Sequence, residues 1–579
     1  MFRATKLQVA TYLLGVCPFS IAFLVFLNSS ISFVITDLIG TENGLDGIGD
    51  AAGTLGFADE LFALVACPLW GILSDRMGLR FVCVLGYLII CLALALFVQA
   101  HNVYPQLLLA RLLFSLGGAA ASTMVTAILP AVAASSSKPQ GQLRHSRVIQ
   151  IFGTNGHASS PSEASESTIT PERFLARASQ SQSSRKPTGP DAQLASSTSR
   201  IAGFVGMFTG CGALIALAVF LPLPANFQYA GIGEKAALKY SYYLVAAVAF
   251  VLAIWCFFGF RNLHVHDKDG LSKGSDSQLE RPPLSILNNL RQMLDNFQVA
   301  VMAGFERSEI ATGYIGGFVA RASSVAISLF IPLLVNAMFR SSGLCPDDET
   351  GNDPTGLPEI KKRCPHAYIV AAELTGVSQM VALICAPLFG YWSSKVSSKE
   401  LPLLVASISG IIGYPLFANQ FDPDDSHTRP RVVAFLAVCL IGISQIGAIV
   451  CSLGTLSKGI LLEIPKASDP RIRSDTHISE TGSTEHQPLL SNAQHPNKEA
   501  SLSALKGSVA GVYSLYGGLA ILILTKVGGL LFDKVSVAAP FYIMAVFNAV
   551  LMLACVVLSL WRPTVRKLTA FRIAEEGQS

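Results

Sequence analysis

Twelve separate apolar stretches, each long enough to cross a lipid bilayer, govern what this chain can fold into. A spanning helix needs about 20 mostly apolar residues. Such stretches occur around 9–35, 55–73, 81–99, 107–133, 201–222, 240–260, 311–338, 367–392, 401–419, 432–456, 508–529 and 540–561. Of the 579 residues, 51% are hydrophobic and 14% charged, against about 25% charged in ordinary soluble domains. The first stretch starts near Val9 and runs to about Ile35. It is longer than the roughly 7–15 residues of a signal-peptide core and lacks a small-residue cleavage site, so it is expected to stay as span 1. The predicted fold class is an all-α membrane protein with about 12 transmembrane helices.

Charge sets the expected orientation. Lysine plus arginine number 42 and aspartate plus glutamate 38, a formal charge of +4, too weak a bias for a nucleic-acid partner. With a cytosolic N-terminus, the cytosolic side receives Arg3, Lys6, Arg76, Arg80, Arg144, Arg147, Arg566 and Lys567 among many others, as the positive-inside rule requires. The opposite side receives far fewer, and its one dense basic group, Lys361 to Arg363, shares a loop with five acids.

The chain divides accordingly. Residues 1–133 carry helices 1–4, 134–199 a disordered cytosolic loop, and 200–260 helices 5–6; 261–309 form a cytosolic linker between halves with an amphipathic helix. Residues 310–457 carry helices 7–10, 458–502 a second disordered loop, 503–562 helices 11–12, and 563–579 a cytosolic tail. Both loops are rich in Ser, Pro, Gln and charge, too polar to bury a core. In the linker, Ile286, Leu287, Leu290, Met293, Leu294 and Phe297 recur at helical spacing. This suits a helix along the membrane surface or an extension of span 7.

An internal repeat links the two halves of the chain. Cys67 to Arg76 reads CPLWGILSDR and Ala386 to Lys395 reads APLFGYWSSK, offset by 390 − 71 = 319 positions. These are the ends of spans 2 and 8, six spans apart, so the chain is expected to be built of two pseudo-symmetric six-helix halves.

The loop GILSDRMGLR, with Gly71, Leu73, Ser74, Asp75, Arg76, Gly78 and Arg80 in place and Leu79 where a base is usual, resembles the signature between spans 2 and 3 of the major facilitator superfamily. It is similar to fungal small-solute transporters of vacuolar or plasma membranes. Gly71 allows close approach of a neighbouring helix and Gly78 a tight turn. Asp75 can accept charge-assisted bonds or face a helix N-terminus. The resemblance implies that Gly71, Asp75, Arg76, Gly78 and Arg80, with Gly390 and Lys395 in the second copy, form a conformational latch between the cytosolic ends of the halves. Ser394 replaces the aspartate in that copy, so the latch should be asymmetric. A second signature appears on span 4 as RLLFSLGGAAAS, supplying Arg111, Gly117 and Gly118, with Phe114 and Ser115 departing from it. The proline of the drug-antiporter motif is missing from GFVGMFTGCGAL, which argues against multidrug antiport.

The resemblance further implies a secondary active transporter that moves a small organic solute by alternating access. Proton-coupled antiport out of the cytosol is the preferred reading. Symport of a small, anionic nutrient, or a facilitator-fold sensor or scaffold without transport, are the alternatives. Charges inside the membrane should mark the site, because each costs about 2.5–3.5 kcal/mol on insertion scales. Asp59 and Glu60 on span 2, Arg111 on span 4, Arg321 on span 7 and Glu373 on span 8 qualify, and Glu373 can snorkel outward. Glu60 precedes Gly71 by 11 residues, about three full turns, and is therefore preferred over Asp59 as the proton carrier. Its counterpart at the repeat offset is Gln379. Arg321 near mid-depth would suit a carboxylate or phosphate on the solute.

No zinc spacing and no nucleophile triad is present, so neither enzyme activity nor a cofactor or metal is expected. Cys345 and Cys364 share the outer loop between spans 7 and 8, and a disulfide is expected there. Glu485, Leu489 and Leu490 match an acidic dileucine sorting signal, favouring the vacuolar (lysosome-like) membrane, then the plasma membrane. Expected partners are the solute, protons, the lipid bilayer and sorting adaptors. No nucleic acid is expected, and the protein should be a monomer.

Overall fold

The computed structural model describes residues 5–35, 48–136, 190–261, 286–343, 365–396, 400–421, 428–461 and 505–576. Among these there is no strand, and 12 helices are long and apolar enough to cross a membrane. Inside hydrocarbon each backbone N–H and C=O needs a partner from its own segment, which a helix supplies. Spans 1 to 6 are Lys6–Ile31, Thr54–Met77, Leu79–Phe97, Val103–Ala133, Ser196–Tyr229 and Glu234–Gly259. Spans 7 to 12 are Ser308–Ser341, Ile369–Lys395, Leu401–Gln420, Val432–Leu461, Lys506–Lys534 and Ala539–Leu558.

The spans are apolar on all sides because they face two environments. On span 3, Val82, Tyr87, Ile90, Leu94 and Phe97 are buried while Leu85, Leu88, Leu92 and Leu96 are exposed along the opposite stripe. Several buried polar side chains tie spans together: the Tyr242 hydroxyl is 2.7 Å from that of Ser30, and the Trp70 indole donates to the Leu116 carbonyl at 2.9 Å.

Packing repeats with a period of six spans. Span 3 lies on spans 4 and 6, as span 9 lies on spans 10 and 12; span 1 lies on span 5, as span 7 lies on span 11. The halves meet where span 2 lies on span 11 and span 5 on span 8. A six-span shift exchanges these two contacts. The end of the bundle that carries Lys6, Asp75 and the linker helix is called the inner end below, the expected cytosolic side.

Two boundaries differ from the sequence expectation, and in the linker one of the two expected arrangements is found. The helix of span 5 begins at Pro190, inside the stretch expected to be a loop through residue 199. Ser199 is buried there against span 8, so close packing of small residues outweighs their weak helix propensity. The linker contains a separate helix, Ile286–Glu306, divided from span 7 by Arg307 in extended conformation (φ −114°, ψ 113°). The last helix continues to Glu576, so the expected tail from 563 begins as helix. Gly78, between spans 2 and 3, has φ 96°, a conformation that side chains disfavour.

Candidate functional site

One face of span 2 runs the length of span 11. From the inner end outward it presents Asp75, Gly71, Pro68 and Leu64 at helical spacing, and Glu60 follows one turn on. A Cβ on Gly71 would sit 2.8 Å from the Gly511 Cα, and one on Gly511 would sit 2.9 Å from the Pro68 Cα. The two backbones therefore touch, and only hydrogen fits between them. Farther out, a Cβ on Gly518 would sit 3.2 Å from the Leu64 side chain. At the outer end the Lys526 ammonium lies 3.7 Å from the Phe57 ring centroid, a cation–π contact between the halves.

Asp75 lies at the inner end of this contact. Its carboxylate accepts from the Gly507 N–H at 2.6 Å, the Ser508 N–H at 2.7 Å and the Ser508 hydroxyl at 2.6 Å. These N–H groups open the helix of span 11, which starts at Lys506. The first N–H groups of a helix have no intrahelical acceptor and carry the positive end of its dipole. A carboxylate from the other half satisfies both.

Spans 5 and 8 repeat the arrangement without the acid. A Cβ on Gly390 would sit 2.7 Å from the Gly203 Cα and 2.9 Å from the Ser199 carbonyl oxygen. Ser394, at the position of Asp75, receives a hydrogen bond from the Arg200 Nε at 3.2 Å. The register reveals a second repeat: Ser199 to Gly203, SRIAG, corresponds to Gly507 to Gly511, GSVAG. The sequence reading missed it, although a search for paired small residues four apart on spans 5 and 11 would have found it.

Not every signature residue crosses between the halves. The Arg76 guanidinium donates to Gln292 of the linker helix at 3.1 Å. Arg80 lies 4.0 Å over the Phe257 ring of span 6, within its own half. Lys395 lies 4.5 Å over the Tyr391 ring on its own span.

Of the intramembrane charges, Asp59 and Arg111 form an ion pair at 2.6 Å with side chains 8% and 3% exposed. Asn28 of span 1 accepts a second bond from Arg111 at 2.5 Å, and the Ser115 hydroxyl donates to the Asp59 backbone carbonyl. The pair ties spans 1, 2 and 4 of one half together, and removing one partner strands a buried charge. Asp59→Asn or Arg111→Gln should therefore lower stability by about 3–5 kcal/mol. The check is the fraction eluting as a single monodisperse species in mild detergent, where a wild-type elution profile would refute the assignment.

Glu60 and Arg321 are placed otherwise. Glu60, half-buried on span 2, lies in the field of Asp59 beside it and of the cations Arg321 of span 7 and Arg111 of span 4. The Arg321 stem lies on span 11, where a Cβ on Gly517 would be 2.6 Å from its Cγ. Among the described residues neither has a hydrogen-bond or ion-pair partner. Nearby in the C-terminal half, Gln379 donates to Gln445 at 3.5 Å and Gln445 to Ser324 at 3.1 Å, joining spans 8, 10 and 7. Glu373 is exposed near the outer end of span 8. The described residues contain no cluster able to hold a metal ion. Cys345 and Cys364, and the sorting-signal residues Glu485, Leu489 and Leu490, lie outside the described residues.

Comparison with known proteins agrees with this geometry. The family model described as Major Facilitator Superfamily matches residues 19–142, spans 1 to 4 with the loop GILSDRMGLR. No curated protein sequence matches the chain. Among solved structures, a bacterial homologue of the iron transporter ferroportin in an outward-facing state aligns with a TM-score of 0.52 at 14% identity, covering 96% of this chain and 100% of that one. The MFS proton:xylose symporter XylE bound to 6-bromo-6-deoxy-D-glucose aligns with a TM-score of 0.51 at 12% identity, covering 94% of each chain. Twelve spans, two halves exchanged by a six-span shift, and these alignments over nearly the whole length give the chain the major facilitator fold.

Proposed function

We propose that this chain is a proton-coupled secondary transporter of a small organic anion, working by alternating access. One observation carries the reading. Glu60 and Arg321 come from opposite halves, lie within electrostatic range at the depth where transporters of this fold bind solute, and have no partner among the described residues. Once Glu60 is protonated, the Arg321 cation is left without a counter-charge and calls for an anion.

The same charges favour a direction of coupling. Protonating Glu60 removes a negative charge from beside Arg321 and strengthens anion binding, and by linkage the anion strengthens proton binding equally. Anion and proton then travel together, so symport is favoured here over the antiport preferred from sequence. A cationic solute would reverse the sign and give exchange. Where the outer side is the more acidic, as in a vacuole lumen, movement would be into the cytosol.

Metabolite profiles of a deletion strain and an overexpressing strain would name the solute, and its uptake by isolated vacuoles against intact cells would name the membrane. In proteoliposomes, Arg321→Gln should reduce its flux at least about tenfold, the equivalent of 1.4 kcal/mol, at unchanged protein content. Retained flux and affinity would sink the anion assignment. A sensor without transport would show no flux in the wild type and would keep signalling when Glu60 is neutralised.

A further inference from the structure

We propose that Arg200 and Lys395, at the inner end of spans 5 and 8, bind the phosphate of an anionic phospholipid headgroup, which substitutes there for the aspartate of the opposite contact. The inference is independent of what the protein transports.

It starts from the broken symmetry of the two contacts between halves. The repeat offset of 319 sets Ser394 at the position of Asp75, Lys395 at that of Arg76 and Tyr391 at that of Ile72. Pairing of Gly203 with Gly511 likewise sets Arg200 at the position of Ser508. Where one contact joins an acid to a helix N-terminus, the other has lost the acid and gained a base. Arg200 and Lys395 both lie against one ring, at 5.8 Å and 4.5 Å from the Tyr391 centroid. Ser394 lies 3.2 Å from the Arg200 Nε. Among the described residues no acid pairs with either cation. Two cations set against one ring repel each other, and an anion bound beside them reduces the repulsion.

The second observation concerns what lies outside them. Met380, Ile384, Leu388 and Tyr391 are 61%, 60%, 60% and 51% exposed, and with Lys395 they fall within one narrow arc of span 8. Gly390, which meets span 5, lies on a different face. The arc is apolar along the membrane, then aromatic, then cationic at the inner end, the order of acyl chain, interface and headgroup. Span 5 continues the surface with Phe204, 44% exposed, one turn from the exposed Arg200. A phosphate at the cations would leave its acyl chains along this stripe, which a soluble phosphate does not use.

The test is lipid retention by the full chain. Protein reconstituted in nanodiscs of phosphatidylcholine with phosphatidylglycerol and released into the gas phase by native mass spectrometry should carry bound phosphatidylglycerol. Retention should fall about tenfold in the double variant Arg200→Gln, Lys395→Gln. It should fall as far in Ser394→Asp, which supplies a carboxylate beside Arg200. Spin labels at the inner ends of spans 5 and 8 should show them staying together in Ser394→Asp without phosphatidylglycerol and separating in the double variant. Retention at the wild-type level in either variant, or Ser394→Asp still needing phosphatidylglycerol to stay closed, would overturn the proposal. Displacement of the lipid by millimolar inorganic phosphate would also overturn it, by showing that the site takes a soluble anion.

Discussion

Proteoliposomes carrying Glu60→Gln should show no solute accumulation driven by an imposed proton gradient, while solute exchange at equilibrium persists. Glutamine keeps the shape of the side chain and its hydrogen-bonding capacity but cannot titrate. With one proton per cycle, a gradient of one pH unit concentrates the solute about tenfold, because each unit corresponds to about 1.36 kcal/mol. The variant should lower that ratio to unity. In the other half Gln379 occupies the counterpart position and bonds to Gln445. Accumulation undiminished in the variant would remove Glu60 from the coupling mechanism. The neighbouring carboxylate could not then be substituted for it, since Asp59 is engaged by Arg111.

Asp75→Asn should have an effect of similar size on the conformational equilibrium. The carboxylate accepts three hydrogen bonds from Gly507 and Ser508, and bonds to a charged group contribute about 1.5–3 kcal/mol each. Asparagine keeps one acceptor oxygen and turns an amide N–H₂ toward donors, so about 2 kcal/mol or more should be lost. At 1.4 kcal/mol per factor of ten, the population with an open inner end should rise roughly thirtyfold. Spin-label distances between the inner ends of spans 2 and 11 would report it as a longer-distance component. An unchanged distribution would show that the glycine contact alone holds this end closed.

Much of this architecture was legible in the sequence because hydropathy and duplication survive without an alignment. Twelve apolar stretches and the repeat of CPLWGILSDR in APLFGYWSSK were enough for the count and for two halves. Helical phase carried the reading from Gly71 to Glu60, since both positions follow from 3.6 residues per turn. Phase does not say which neighbour a face meets, however. The pairing of Asp59 with Arg111 depends on the rotation of span 4 relative to span 2, which no spacing within either span contains. The repeat between SRIAG and GSVAG was visible but short, and its first copy straddled the expected end of a loop at Ser199. Lys526 was passed over near an outer span end, where only the structure shows it seated on Phe57.

The bare backbone contacts at Gly71 with Gly511 and at Gly390 with Gly203 have a mechanical consequence. Interlocked side chains behave as cogs, and turning one half against the other would force each tooth out of its socket. Glycine against glycine has no teeth. In the alternating-access cycle proposed above, these two places would serve as smooth bearings, related by the six-span repeat, on which the halves roll with little friction from rotamer changes. Resistance to rolling is then concentrated in a few removable stops, and at the span 2 and 11 bearing Asp75 is the one set at the inner rim.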